Sequence, residues 1–140
     1  MGNRNCTVAL ISSIDYESLQ DDINAPYVGE NKTIKILRIT DVIENLIIPS
    51  GKNIILDLQE YTLFASIKNS IFTINGTLTI LGTKENCKII NISSLCITNN
   101  SVLNIGIDDG VENEGMLTIT GAVSAIQNNG TLNKYDGTIN

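Results

Sequence analysis

A short unit of polar turn followed by strand recurs along the chain, and it constrains the fold more than any other feature of the sequence. Its clearest copy is Asn-Gly-Thr-Leu-Thr-Ile-Leu at residues 75–81. Side chains alternate along a strand, so Leu78 and Ile80 point to one face and Thr77 and Thr79 to the other. Three weaker copies share this order of turn and strand and begin at Asn100, Asn113 and Asn129. A repeated unit of this kind is typical of a solenoid.

The chain from residue 32 onward predicts strands and turns only. Ile, Val and Thr, which favour strands, dominate this part, and Gly, Asn, Asp or Ser separate the apolar runs. The predicted strands cover residues 33–39, 45–48, 53–58, 61–65, 70–74, 77–81, 88–92, 95–98, 102–107, 116–120, 122–126 and 138–139.

The spacing between copies of the unit is irregular. The interval is long from Gly76 to Ser101 and much shorter from Ser101 to Gly115 and from Gly115 to Gly130. This variation favours a β-helix, whose turns differ in length while its strands stack. A β-sandwich is the alternative, since many short strands also suit it. The recurring Asn favours the solenoid, because Asn side chains at successive turns can form a ladder of amide hydrogen bonds.

Residues 1–31 predict a separate N-terminal part made of a strand and a capping helix. Residues 7–11 suit a short strand, and residues 15–24 suit a helix that ends before Pro26. Tyr16, Leu19 and Ile23 form one apolar stripe on that helix. We therefore expect the helix to cover the first rung of a solenoid formed by residues 32–140, the two parts making one structural domain.

Residues 16–63 carry a family resemblance. Tyr-Glu-Ser-Leu-Gln-Asp-Asp-Ile at 16–23, Thr-Ile-Lys-Ile-Leu at 33–37 and Ile-Pro-Ser-Gly-Lys-Asn-Ile-Ile-Leu-Asp-Leu at 48–58 resemble the opening of right-handed parallel β-helix (pectin-lyase-like) domains. Such domains occur in bacterial and phage surface proteins, where they serve as adhesins, tailspikes, lyases and hydrolases. The resemblance implies an all-β, right-handed fold and a place at the cell surface, outside the cell or in a virion. The sequence departs from it where Gly121-Ala122 and Asp136-Gly137 replace Gly-Gly pairs.

Charge and composition exclude several functions. The net charge of −6 and a pI near 4.4 argue against a nucleic-acid partner, which needs clustered Lys and Arg. The absence of His excludes a Ser-His-Asp triad and removes the usual partner of a zinc site. The apolar run at residues 8–11 is too short for a signal-peptide core or for membrane insertion. No cofactor-binding motif is evident.

Three cysteines, Cys6, Cys87 and Cys96, form no CxxC pair. The apolar context of Cys87 and Cys96 favours buried free thiols, and a disulfide between the two is the alternative.

The sequence predicts no catalytic or metal site, but four acidic residues are the candidates if the protein is an enzyme: Asp57, Asp108, Asp109 and Glu112. Glycoside hydrolysis uses two facing carboxyl groups about 5–10 Å apart. Asp108 and Asp109 precede Gly110 and suit a turn. Asp57 lies between leucines of the buried face, so we expect it to point outward, on a solvated face or as a turn-capping acceptor.

Two functions fit these observations. The first is a non-enzymatic structural or adhesive β-solenoid whose last rung, without a cap of its own, associates head to tail with another copy. The alternative is a module that binds or cleaves a polysaccharide. Aromatic residues, which stack on sugars, make up only 4% of the sequence.

Overall fold

The computed structural model describes residues 16–82, 87–108 and 117–140. A nine-residue helix, α1 (Tyr16–Asn24), precedes fourteen strands in these ranges. The strands are β1 (Lys32–Lys35), β2 (Thr40–Val42), β3 (Leu46–Ile48), β4 (Asn53–Asp57), β5 (Thr62–Ala65), β6 (Phe72–Ile74), β7 (Thr77–Leu81), β8 (Lys88–Asn91), β9 (Ile97–Asn99), β10 (Val102–Ile105), β11 (Thr118–Gly121), β12 (Ile126–Asn128), β13 (Thr131–Lys134) and β14 (Thr138–Ile139).

The strands form three parallel sheets, and each strand pairs with the strands three places before and after it. The first sheet has the order β1-β4-β7-β10-β13, the second β2-β5-β8-β11-β14 and the third β3-β6-β9-β12. Three consecutive strands therefore make one coil: coil 1 is β1–β3, coil 2 β4–β6, coil 3 β7–β9 and coil 4 β10–β12, with β13 and β14 starting a fifth. The all-parallel pairing confirms the β-solenoid and excludes the sandwich. The right-handed sense of the coil stays a prediction.

The core lies inside the coils and consists of stacked aliphatic side chains. In the first sheet, Ile34, Leu56, Ile80 and Ile105 occupy equivalent positions in successive coils, and each is at most 1% exposed. The strands alternate between buried and less buried residues, as in β1 and β7. This period of two is the pattern that predicts the strands from the sequence.

Coil length explains part of the irregular spacing of the repeated unit. One coil separates Lys32 from its partner Ile54, and one coil separates Leu103 from its partner Leu132, so coil 4 contains more residues than coil 1. The interpretation of the copy at Asn113 as an equivalent rung is wrong, because its strand, β11, belongs to the second sheet. The two short intervals, before and after Gly115, are therefore two parts of one coil.

Two further strand predictions need correction. β2 lies outside the strands predicted from the sequence, and β12 begins at Ile126, where the predicted strand at 122–126 ends. β13, by contrast, extends over Thr131–Lys134, where the copy of the unit that begins at Asn129 predicts its strand. The predicted strand at residues 7–11 lies outside the described residues.

Helix α1 packs against β2 and β3, at one end of the solenoid. Leu19 and Ile23 are buried in the core, which confirms the apolar stripe at those two positions. The Gln20 amide donates to the carbonyl oxygen of Ile47 at 3.0 Å, and its side-chain oxygen accepts the Ile47 N–H at 2.8 Å. The Gln20 side chain thus takes the place of a neighbouring strand at the outer edge of β3.

Candidate functional site

An asparagine ladder runs along the turn that enters the first sheet. Asn75, Asn100 and Asn129 hold equivalent positions in three successive coils, immediately after β6, β9 and β12. The side-chain amide of Asn100 donates to Oδ1 of Asn75 at 3.1 Å, and that of Asn129 donates to Oδ1 of Asn100 at 3.0 Å. The ladder predicted from the recurring Asn is confirmed.

A second ladder lies on the outer face of the first sheet. The amide of Asn104 donates to the Thr79 hydroxyl at 3.2 Å, and that of Asn133 donates to Oδ1 of Asn104 at 2.9 Å. In both ladders the donor belongs to the later coil. Parallel strands are about 4.8 Å apart, so the outer face presents polar groups at that interval. Thr79, Asn104 and Asn133 thus form a row of hydroxyl and amide groups over three successive coils.

Two asparagines, which the sequence pattern did not predict as interior residues, are buried at corners of the coil. Asn99 is fully buried; its amide donates to Oδ1 of Asn128 at 2.7 Å and to the Thr131 carbonyl at 2.8 Å. Asn91 is 1% exposed and bonds four backbone groups. The sequence does carry a signal for such buried asparagines, which is a polar residue at a position where the alternation predicts an inward side chain.

The structure places Asp57 and Asp108, the two candidate carboxylates that it describes, apart from each other. Asp57 ends β4 in coil 2, whereas Asp108 is exposed and follows β10 in coil 4. Asp109 and Glu112 lie outside the described residues. Because a full coil lies between β4 and β10, the two described carboxylates do not occupy adjacent coils.

Asp57 corrects one expectation and confirms another. It is only 7% exposed, so a solvated position is wrong. The alternation stops at the end of β4, where Leu56, Asp57 and Leu58 are all buried as the chain turns the corner. Oδ1 of Asp57 accepts the Gln59 N–H at 2.9 Å, and Gln59 has a φ of 57°, the left-handed region. Asp57 is therefore a turn-capping acceptor.

Cys87 and Cys96 are free and fully buried, which confirms free thiols for both. Burial raises the pKa of each thiol to about 11, and the negative charges of Asp57 and Asp136 add to the rise at Cys87. The Cys96 thiol donates to the Thr120 carbonyl at 3.1 Å. Since the thiolate is the nucleophilic form, both side chains act as core packing at neutral pH. Cys6 lies outside the described residues.

Within the described ranges, no group of three or more His, Cys, Asp or Glu side chains is arranged to hold a metal ion. No helix among the residues that the structure describes is both long and apolar enough to cross a membrane.

The fold and its surface define a parallel β-solenoid with a helical cap at one end, one polar side-chain ladder along a turn and another on the outer face of the first sheet. A search of protein-family models, curated proteins and solved structures finds no match to this sequence.

Proposed function

We propose that the protein is a non-enzymatic structural module of the β-solenoid class that associates end to end with a second copy. One observation carries the proposal: within the described residues all three sheets end on the same side, in β12, β13 and β14. We refer to these three strands as the terminal edge. A sheet edge is a template for a further strand unless it is covered or blocked.

The backbone of β13 is oriented for such an addition. The N–H groups of Thr131 and Tyr135 donate to the carbonyl oxygens of Ser101 and Ile105, at 2.7 Å each. Because successive N–H groups of a strand point to opposite sides, those of Leu132 and Lys134 face away from β10. The carbonyl groups of a further parallel strand could accept hydrogen bonds from these two N–H groups.

The side chains at the terminal edge also suit a further coil. The amides of Asn129 and Asn133 donate backward along their ladders, so their Oδ1 atoms are oriented toward the next amide in the series. Leu132 and Ile139, which continue core columns, are only partly buried. Another coil would bury both and would extend both ladders.

Two features keep this association weak. Lys134 continues the inward column of Ile80 and Ile105, and an inward charge at a sheet edge opposes pairing. At the other end, Gln20 occupies the outer backbone groups of Ile47. Lys134 is exposed, so head-to-tail contact requires its ammonium to stay in solvent at the rim of the added coil, and it requires Gln20 to leave β3.

The proposed partner is a second copy, because its coils already have the strand spacing and the stacked columns that the terminal edge continues. A head-to-tail contact joins different surfaces of the two copies, so it grows a filament when the rotation does not close. The resemblance to pectin-lyase-like surface proteins supports a place at the cell surface, outside the cell or in a virion.

The test compares three variants by sizing and negative-stain microscopy over a concentration series. Lys134→Pro removes the outward N–H of Lys134, keeps the bonds of β13 to β10, and should abolish association. Lys134→Ala is the matched control, which keeps the N–H, loses the inward charge and should associate at lower concentration than the wild type. Gln20→Ala exposes the backbone N–H and carbonyl of Ile47 and should also associate at lower concentration than the wild type. Monomers of the wild-type protein at high concentration, or association of the Pro variant, would refute the proposal.

A second candidate is polysaccharide binding along the row of Thr79, Asn104 and Asn133, whose regular polar groups favour a repeating ligand. Binding to a polysaccharide panel that Asn104→Ala weakens would support it. If products of cleavage also appear, their loss in Asp108→Asn would indicate an enzyme and replace the structural function.

A further inference from the structure

We propose that Asn129 is a site of spontaneous deamidation in the folded protein and that the fold protects Asn75 from the same reaction. The described residues contain two Asn-Gly dipeptides, at 75–76 and at 129–130. Asn-Gly is the dipeptide most open to this chemistry, because Gly has no side chain to hinder ring closure. The two sites hold equivalent positions in the coil, so their surroundings decide which one reacts.

The reaction needs only water. The backbone nitrogen of Gly130 attacks Cγ of Asn129, and the new bond between them closes a five-membered succinimide. The bond between Cγ and Nδ2 of Asn129 breaks, and Nδ2 leaves as ammonia with the proton that the Gly130 amide gives up. Water then opens the ring at either carbonyl, which yields Asp or isoaspartate at position 129. One water is consumed and one ammonia is released.

Asn75 is protected because Gly76 is held on both sides. Gly76 is buried, its N–H donates to the Ile48 carbonyl at 3.1 Å, and its carbonyl accepts the Val102 N–H at 3.2 Å. The nitrogen must lose its proton and turn toward Cγ of Asn75, so both of these bonds to neighbouring coils must open first. Local opening of this kind is rare in the middle of a packed solenoid.

At Asn129 the following glycine, Gly130, is not held by this pair of hydrogen bonds to neighbouring coils. Asn128, Asn129, Gly130 and Thr131 are all exposed. The Gly130 N–H donates to the side chain of the nearby Asn128, at 3.3 Å, and the Gly130 carbonyl accepts from that same side chain at 3.2 Å. The Gly130 nitrogen can therefore reach Cγ of Asn129 while the rest of the solenoid stays folded.

Deamidation removes a ladder bond at Asn129 but would keep one at Asn75. The amide of Asn129 donates to Oδ1 of Asn100, and a carboxylate cannot donate. Oδ1 of Asn75 accepts from Asn100, and a carboxylate accepts equally well. We therefore expect Asn129→Asp to loosen β13 and Asn75→Asp to leave β7 unchanged, as measured by hydrogen exchange.

The test incubates the dilute protein at mildly alkaline pH. Peptide mass spectrometry then maps deamidation at each site, with isoaspartate separated by chromatography. In the folded protein Asn129 should react at least roughly tenfold faster than Asn75, since two hydrogen bonds must open at Gly76. In urea the two rates should become similar. Asn129→Gln, which forms the larger ring far more slowly, should abolish the fast phase.

Equal rates at the two sites in the folded protein, or equal protection of both relative to urea, would overturn the proposal. The same incubation is repeated with Lys134→Pro, the variant that should not associate, so that Asn129 is not shielded by a second copy. Failure of the deamidation proposal is therefore distinguishable from failure of end-to-end association, and neither result depends on the other.

Discussion

At the scale of single residues, buried asparagine amides fix the corners of the coil. The Asn91 amide donates to the carbonyl oxygens of Asn69 and Leu95, at 2.8 and 3.0 Å, and its Oδ1 accepts the N–H groups of Ile67 and Ser93. Asn91→Ala would remove four bonds at one corner and leave those backbone groups without partners. We expect the free energy of unfolding in urea to fall by roughly 3 kcal/mol.

Asn104→Ala is the matched control, because Asn104 is half-buried and belongs to a surface ladder. Water can replace its hydrogen bonds, so we expect a loss of about 1 kcal/mol. Equal losses for the two variants would mean that burial does not distinguish the corner amide from the ladder amide.

At the scale of secondary-structure elements, one ion pair joins the cap to the solenoid. Nζ of Lys32 lies 2.7 Å from Oδ1 of Asp22 and also donates to the Asp22 backbone carbonyl at 2.6 Å. Both side chains are buried, and Lys32 begins the inward column that continues with Ile54 and Leu78. The cap therefore supplies the charge that lets a lysine occupy the end of a core column.

Removing one member of this pair should cost more than replacing both. Asp22→Asn leaves a buried ammonium without its counter-charge, and we expect a loss of about 3 kcal/mol in the free energy of unfolding. The double variant Asp22→Leu with Lys32→Met should lose less than Asp22→Asn alone, since no charge is left buried. Urea unfolding of both variants and the wild type measures this. A double variant that is less stable than Asp22→Asn would contradict the argument.

At the scale of the whole molecule, the sequence predicts the strands better than it predicts where each one lies. Alternating side chains identify β4, β7 and β10, and the recurring Asn predicts the ladder of Asn75, Asn100 and Asn129. The same alternation occurs in all three sheets, so it could not reveal that the Asn113 copy belongs to the second sheet. Corners break the alternation, which is why the burial of Asp57 and the polar interior at Asn99 were missed.

The stacking of coils also predicts how the molecule loses structure, because each coil pairs only with its neighbours. Leu78 and Leu132 hold the same column in β7 and β13, but Leu78 is fully buried and Leu132 only partly. Leu78→Ala opens a cavity in coil 3, between two paired coils, and should cost about 3 kcal/mol of global stability. Leu132→Ala affects only the terminal edge and should cost about 1 kcal/mol.

Hydrogen exchange should show faster exchange throughout the solenoid for Leu78→Ala and in β13 and β14 alone for Leu132→Ala. The same loss of protection in coil 2 for both variants would instead indicate that the solenoid unfolds as one cooperative unit, terminal edge included.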